Sequence, residues 1–196
     1  MENNKKFNGL EVEIEYSHRH IHVSKEVIER LFGPRYNLTS EKKLSQAEDF
    51  AAQETVTLMG PKGKIENVRI IGPAREKTQI EILQSDAFIL GLDVPFRLSG
   101  DLDNTPGIKI VSNLNEVDLA EGVIIAKRHL HISPEEAEKN KLKNGQKIQL
   151  EIKGERALIF KEIIVRVKEG FQTRIHIDVE EANAAGIKQN DKGKII

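Results

Sequence analysis

The chain contains no cysteine. Disulfides, thiolate nucleophiles and cysteine-ligated metals are thereby excluded, and any bound metal must draw on His, Asp or Glu. Long apolar runs are missing too. Stretches such as Gly122-Val123-Ile124-Ile125-Ala126 are far short of the ~18 residues that a membrane-spanning helix needs. Neither charge dominates: 30 Lys and Arg stand against 31 Asp and Glu, so nothing global favours nucleic acid or an anionic membrane. Met1 to Leu10 lacks the apolar centre of a secretory signal. Neither a Gly-x-Gly-x-x-Gly turn nor a Walker loop is present, and no Gly-x-Ser-x-Gly elbow marks a serine hydrolase. What is there is 38% apolar and 31% charged residues of mixed sign, the balance of a folded protein. At 196 residues it has room for one or two domains. A cytoplasmic location is expected.

The six histidines are not scattered. His18, His20 and His22 form one group, His129 and His131 a second, and His176 stands alone in Arg174-Ile175-His176-Ile177. Each group lies in a run that alternates like a strand. Val12, Ile14 and Tyr16 alternate with Glu11, Glu13 and Glu15, and an unbroken strand would carry that inner face on through His18, His20 and His22. Two imidazoles on one face of a strand can share a metal.

The groups repeat with their surroundings. Arg19-His20-Ile21-His22-Val23-Ser24 matches Arg128-His129-Leu130-His131-Ile132-Ser133, and Ser24 and Ser133 both read as helix N-caps, Ser133 with Pro134 and Glu136 behind it. Thr78-Gln79-Ile80-Glu81-Ile82 matches Thr173-Arg174-Ile175-His176-Ile177, which puts Glu81 in the place of His176. Each half thus offers a His-x-His pair and one later ligand: His20, His22 and Glu81, then His129, His131 and His176. Three protein ligands with a fourth position open is the pattern of a catalytic zinc site, and two sets imply two metals. Lys127 stands where His18 would recur, so His18 reads as a residue facing a ligand or the substrate and not as a ligand itself. Arg75, in Gly72-Pro73-Ala74-Arg75 just before the Glu81 strand, is placed either to fork onto an anion at the metal or to sit in solvent.

Strand–turn–strand patterns follow in both halves, around Gly60-Pro61-Lys62-Gly63 and Gly154-Glu155. The reading is a mainly β protein with short helices, built as two similar small barrels. Residues 10–100 form one repeat and 120–196 the other, and the stretch 101–119 connects them. The first half carries about fourteen more residues between its matching blocks, and a short helix is expected over Ala47 to Gln53. The metals are expected where the halves meet.

These residues resemble the PduL-type phosphotransacylases, the phosphate propanoyltransferases. The resemblance runs from about Val12 to the end. It includes both His-x-His blocks, Leu44-Ser45-Gln46, Gly60-Pro61-Lys62-Gly63, Gly72-Pro73-Ala74-Arg75, Thr78-Gln79-Ile80-Glu81, Ser99-Gly100-Asp101, Thr105-Pro106-Gly107-Ile108 and His176-Ile177-Asp178 with Glu181-Ala182-Asn183-Ala184-Ala185. It departs at His18, where the family has a small or amide residue, and at Val111-Ser112-Asn113-Leu114, where a Gly-Pro turn is usual.

The resemblance implies exchange of a short acyl group, propanoyl or acetyl, between coenzyme A and inorganic phosphate. It implies two helix-capped β-barrels, two zinc ions per chain on the six ligands above, and Arg75 on phosphate. Ser17, Lys42, Arg69 and Asn183 would meet coenzyme A, with Phe88 against its adenine. A homodimer is the family expectation. Members that enter microcompartments carry an amphipathic N-terminal helix, whereas about ten polar residues precede the first strand here, which predicts a free cytoplasmic enzyme. Two other readings of the histidines stand beside this one: a cupin-like single-metal oxygenase or isomerase, and a non-catalytic metal-binding module.

Overall fold

The computed structural model describes residues 9–45 and 48–196. The readings of the N-terminal ten residues and of a helix starting at Ala47 therefore fall partly outside the described residues. In chain order the elements are β1 (Glu11–Ser17), β2 (His20–Ser24), α1 (Lys25–Phe32), β3 (Ser40–Lys43), β4 (Phe50–Met59), β5 (Lys64–Arg75), β6 (Gln79–Glu81), α2 (Gln84–Leu90), β7 (Phe96–Arg97), β8 (Ile108–Val111), β9 (Glu116–Leu119), β10 (Val123–Ala126), β11 (His129–Ile132), α3 (Pro134–Lys139), β12 (Lys147–Ile152), β13 (Leu158–Val167), β14 (Arg174–Asp178), α4 (Val179–Ala185) and β15 (Lys192–Ile195). The protein is mainly β, as the alternating sequence predicts. Phe50 to Gln53, expected to be helical, lie instead in β4, where Ala51 and Phe50 pair with Ile71 and Gly72 of β5. Among the described residues no helix is long and apolar enough to cross a membrane.

The chain divides into two compact units. One takes the residues up to Ser17 together with Lys127–Ile196, and the other is His18–Ala126. In the first, six strands close a barrel in the order β1-β14-β11-β13-β12-β15. In the second, a curled sheet runs β7-β10-β6-β2-β5-β4-β8-β9, with β3 on β4.

The repeat is visible strand for strand. β14 pairs antiparallel with β11, β11 parallel with β13, and β13 antiparallel with β12. β6, β2, β5 and β4 repeat that series with the same directions. The flanking strand is also matched, because β1 runs parallel to β14 as β10 runs parallel to β6. β1 directly precedes the His-x-His strand β2 in sequence and β10 directly precedes β11, yet in each case the two strands belong to different units. Closure separates the two. β15 pairs with both β12 and β1 and completes the barrel, whereas in the other unit β8 lies on β4 and β7 on β10.

This division differs from the sequence reading of 10–100, 101–119 and 120–196. Glu11–Ser17 packs with the second repeat and Val123–Ala126 with the first. The polar stretch after Ser99 is not a linker. Leu102 and Thr105 are buried, and the Thr105 hydroxyl donates to the Leu102 carbonyl at 2.6 Å and accepts from Gly122 N at 2.9 Å. Turn-forming residues signalled a loop correctly, but the strands that follow it, β8 and β9, extend the same sheet.

Two cores result. Ile21, Val23, Ile70, Ile80 and Ile125 anchor one, and Ile14, Leu130, Ile132, Val165 and Ile175 the other. Ile14 of β1 is fully buried in the barrel core. Ile14→Ala is therefore expected to cost about 2–5 kcal/mol in urea unfolding, the range for truncating a buried aliphatic side chain. A loss under about 1 kcal/mol would mean that β1 is not part of that core.

Candidate metal centres

The His-x-His strands and the strands of the third ligand are held side by side. His20 lies opposite Glu81 in the β2–β6 pairing, and His129 lies opposite His176 in the β11–β14 pairing. Side chains directly opposite on neighbouring strands stand about 4.5–5.5 Å apart at Cβ. The ligand atoms of His20, His22 and Glu81 accordingly lie within 4.8 Å of one another, as do those of His129, His131 and His176. Each set is complete within one unit, and each is able to hold a metal ion.

The strand carrying His20 and His22 does not continue β1. The chain leaves one unit at Ser17 and enters the other at His18, and the His18 side chain is exposed. His18 contributes through its backbone: its carbonyl accepts from His20 Nδ1 at 2.8 Å. The Lys127 carbonyl accepts from His129 Nδ1 at 2.9 Å in the same way. A carbonyl can only accept, so Nδ1 carries the proton and Nε2 keeps its lone pair for a ligand role. Because the main chain does this work, a histidine and a lysine serve equally at that position.

The buried rings are set for the neutral state. His22 is pushed down to about 2, first by burial and then by electrostatic coupling to the His20 ring and the Arg75 guanidinium, with the Ile71 backbone opposing. His131 is likewise lowered to about 2 by burial, then by His176 and His129. His176 falls to about 4, through burial first and then Arg174 and Arg166. At pH 7 these rings are uncharged, the form that binds metals. The Nδ1 of His22 is buried and has no hydrogen-bond partner among the described residues. An orphaned buried lone pair or N–H is costly unless something pairs with it, which fits a cation-binding set.

Three features of these centres were not read from the sequence. Arg19 Nε donates to Asp86 Oδ2 at 2.7 Å, and Arg128 Nε donates to Glu181 Oε1. Asp86 and Glu181 also accept from the backbone N–H groups of Leu83 and Asp178 at the starts of α2 and α4. Each arginine thus ties its His-x-His strand to the helix that follows the third ligand. Both arginines stand in the matched blocks, and Asp86 and Glu181 fall in register between them, so the repeat held the signal. The Phe171 ring stacks on His131, with centroids 3.9 Å apart. Nothing in the repeat pointed to it.

Arg75 ends β5, partly exposed. Its Nη2 is 3.5 Å from Asp49 Oδ2, and its Nη1 is 3.5 Å from Ser99 Oγ. Burial raises the Asp49 carboxyl, with Arg75 and His20 pulling it back down. Arg75 also lies near enough to His22 to disfavour its protonation, which puts a fixed positive charge beside the first ligand set.

Of the other residues singled out, Lys42 is exposed on β3 and Phe88 is 86% exposed on α2. Arg69 lies beside His20 in the β2–β5 pairing. Its guanidinium is spent on the Ala52 carbonyl at 2.6 Å, the Gln53 carbonyl at 3.2 Å and Glu41 at 2.9 Å. Ser17 and Asn183 are exposed in the closed-barrel unit, at the end of β1 and on α4.

Residues 13–188 match the phosphate propanoyltransferase family. A phosphate propanoyltransferase of Listeria monocytogenes is 46% identical over 185 residues, covering 94% of this chain and 87% of its own. One of Thermotoga maritima is 48% identical over 176 residues, 89% of this chain and 84% of its own. That of Citrobacter freundii is 46% identical over 171 residues, 87% of this chain and 81% of its own. A family match spanning both ligand sets, with relatives this similar along nearly the full length, places the chain in the phosphate propanoyltransferase family.

Proposed function

We propose that the protein interconverts a short-chain acyl-CoA and inorganic phosphate with an acyl phosphate and CoA, propanoyl-CoA and acetyl-CoA being the candidate thioesters. The observation that carries this reading is the pair of three-ligand sets, one of them with the Arg75 guanidinium beside it, in a chain of this family. The six ligands would hold two zinc ions. Their donor set of neutral imidazoles with one carboxylate suits Zn²⁺, and the buried Nδ1 of His22 fits a set that receives a cation. A zinc ion bound at such a set supplies Lewis-acid polarisation of an oxygen ligand.

The chain's own residues do the rest. Arg75 forks onto phosphate and fixes the direction in which one phosphate oxygen faces the thioester carbonyl carbon. That oxygen forms the new C–O bond, the C–S bond breaks, and the CoA thiolate leaves and takes up the proton that phosphate gives up. With no cysteine in the chain, the acyl group does not pass through an enzyme thioester. Lys42 and Phe88 are exposed and open to coenzyme A, as are Ser17 and Asn183. Arg69 would act there only by releasing part of its present contacts.

The test is one preparation, purified without a metal-binding tag, in which zinc per chain and thiol release are both measured. About two zinc ions per chain and thiol release from propanoyl-CoA or acetyl-CoA that requires phosphate are expected. A single iron with oxygen uptake would favour the cupin-like reading. Bound metal without any phosphate-dependent turnover would favour a binding module.

A further inference from the structure

Glu81 is the one ligand candidate that differs in kind between the two sets, and the residue two positions before it differs as well: Gln79 here, Arg174 in the repeat. Both lie on one face of β6, since alternate residues of a strand share a face. Arg174 is drawn off to Glu13 at 3.0 Å and Glu15 at 3.4 Å. Gln79 turns to the ligand. The residue is 3% exposed. Nε2 donates to Glu81 Oε1 at 2.6 Å and to Ser99 Oγ at 2.8 Å, and Oε1 accepts from Gly100 N at 2.7 Å.

This network allows only one orientation of the amide. The Gly100 N–H can only donate, so the Gln79 oxygen must face it, and the NH₂ must face the carboxylate. Flipping the amide of the buried Gln79 would set donor against donor and acceptor against acceptor in this part-buried network. Gly100 holds φ at +98°, a conformation that favours glycine and that aims its N–H inward. With Oε1 of Glu81 engaged, Oε2 is the oxygen left toward His20, 3.6 Å from its Nε2.

Resting on the two-metal reading above, we infer that Gln79 is a positioning residue that fixes Glu81 as a one-oxygen ligand and ties that ligand to the Ser99-Gly100 turn beside Arg75. The two oxygens of Glu81 are thereby given separate tasks. One is held by the protein and the other is presented to the cation, with its rotamer already chosen. The three-histidine set has no carboxylate to divide and needs no such amide, which accounts for the arginine in the repeat.

The test uses the full chain and measures affinity for Zn²⁺ by competition with a chromophoric chelator, alongside the visible spectrum of the Co²⁺-substituted protein. Gln79→Met keeps the length and bulk of the side chain and removes its hydrogen bonds. It is expected to weaken one of two Zn²⁺ sites 10–100-fold and to change the Co²⁺ spectrum of that site. The other site is expected to keep wild-type affinity, and so reports that the protein is folded. Gln79→Asn, shorter by one methylene, cannot span Glu81 and Gly100 and is expected to show the same loss. Ser99→Ala leaves the bond to Glu81 in place and should hold affinity within about threefold of wild type, well short of the effect of losing that partner. Wild-type affinity at both sites in Gln79→Met and Gln79→Asn overturns the inference alone. A wild-type protein that binds no Zn²⁺ overturns the metal reading and the inference with it.

Discussion

Arg75→Ala is expected to lower kcat/KM for phosphate about 10²–10³-fold, the scale on which preorganised charge acts at developing anions, while the melting temperature stays within about 2 °C of wild type. The asymmetry follows from how Arg75 is held. Its contacts to Asp49 and Ser99 are both at 3.5 Å, and about a third of the side chain is in solvent. Exposed ion pairs of that kind contribute about 0–1 kcal/mol to folding. An anion arriving beside His22 would offer better partners than those Arg75 has now. Arg75→Lys keeps the charge and loses the planar fork, so it should recover only part of the rate. Asp49 needs a control, because removing Arg75 leaves its carboxylate without the nearest positive charge. The double variant with Asp49→Asn removes that complication and should show the same loss for phosphate. Saturation kinetics in phosphate at fixed acyl-CoA measure it. An Arg75→Ala enzyme with wild-type kcat/KM for phosphate would take this residue out of the site.

The two candidate ligand sets were legible as groups because they are written twice. One His-x-His pair says little, but two of them with matched capping serines and matched third strands put Glu81 in the place of His176, and the strand pairings then set His20 opposite Glu81 and His129 opposite His176. The caps themselves follow from local chemistry: Ser24 and Ser133 accept from Val27 N and Glu136 N, each at 3.3 Å. What the sequence could not show is which sheet a strand joins. Glu11–Ser17 alternates as a half-buried strand in either unit, and the two residues before His20 look like a continuation although they carry the chain across. Pairing partners are set by tertiary packing, and alternation contains no term for them. Gln79 was passed over for a related reason. It stands beside a residue singled out as a ligand, but its worth lies in Ser99 and Gly100, some twenty positions away, which no local pattern connects to it.

Glu81→Ala and His176→Ala are each expected to remove one zinc and leave the other, and the double variant to bind neither. Each three-ligand set is complete in one unit, so losing a ligand from one leaves the other set whole. Activity should fall at least about 10²-fold in either single variant, since both sets are proposed to serve one reaction. Stability should respond through linkage: at free zinc about 100 times the dissociation constant, a site that binds only the folded chain adds about 2.7 kcal/mol, and each lost site forfeits its share. Cross-substitution separates a missing ligand from a damaged strand. The repeat uses histidine where the first set has glutamate, with opposed residues in the same register, so Glu81→His should restore the zinc that Glu81→Ala loses. His176→Glu should do the same in the barrel, at lower gain, because Arg174 and Arg166 already lie close enough to His176 to lower its pKa and would compete for the new carboxylate. Metal counting after gel filtration and unfolding with and without a chelator measure both effects. Two zinc ions retained by the double variant would mean that the ions bind elsewhere, and full turnover in either alanine variant would mean that the set concerned takes no part in the chemistry.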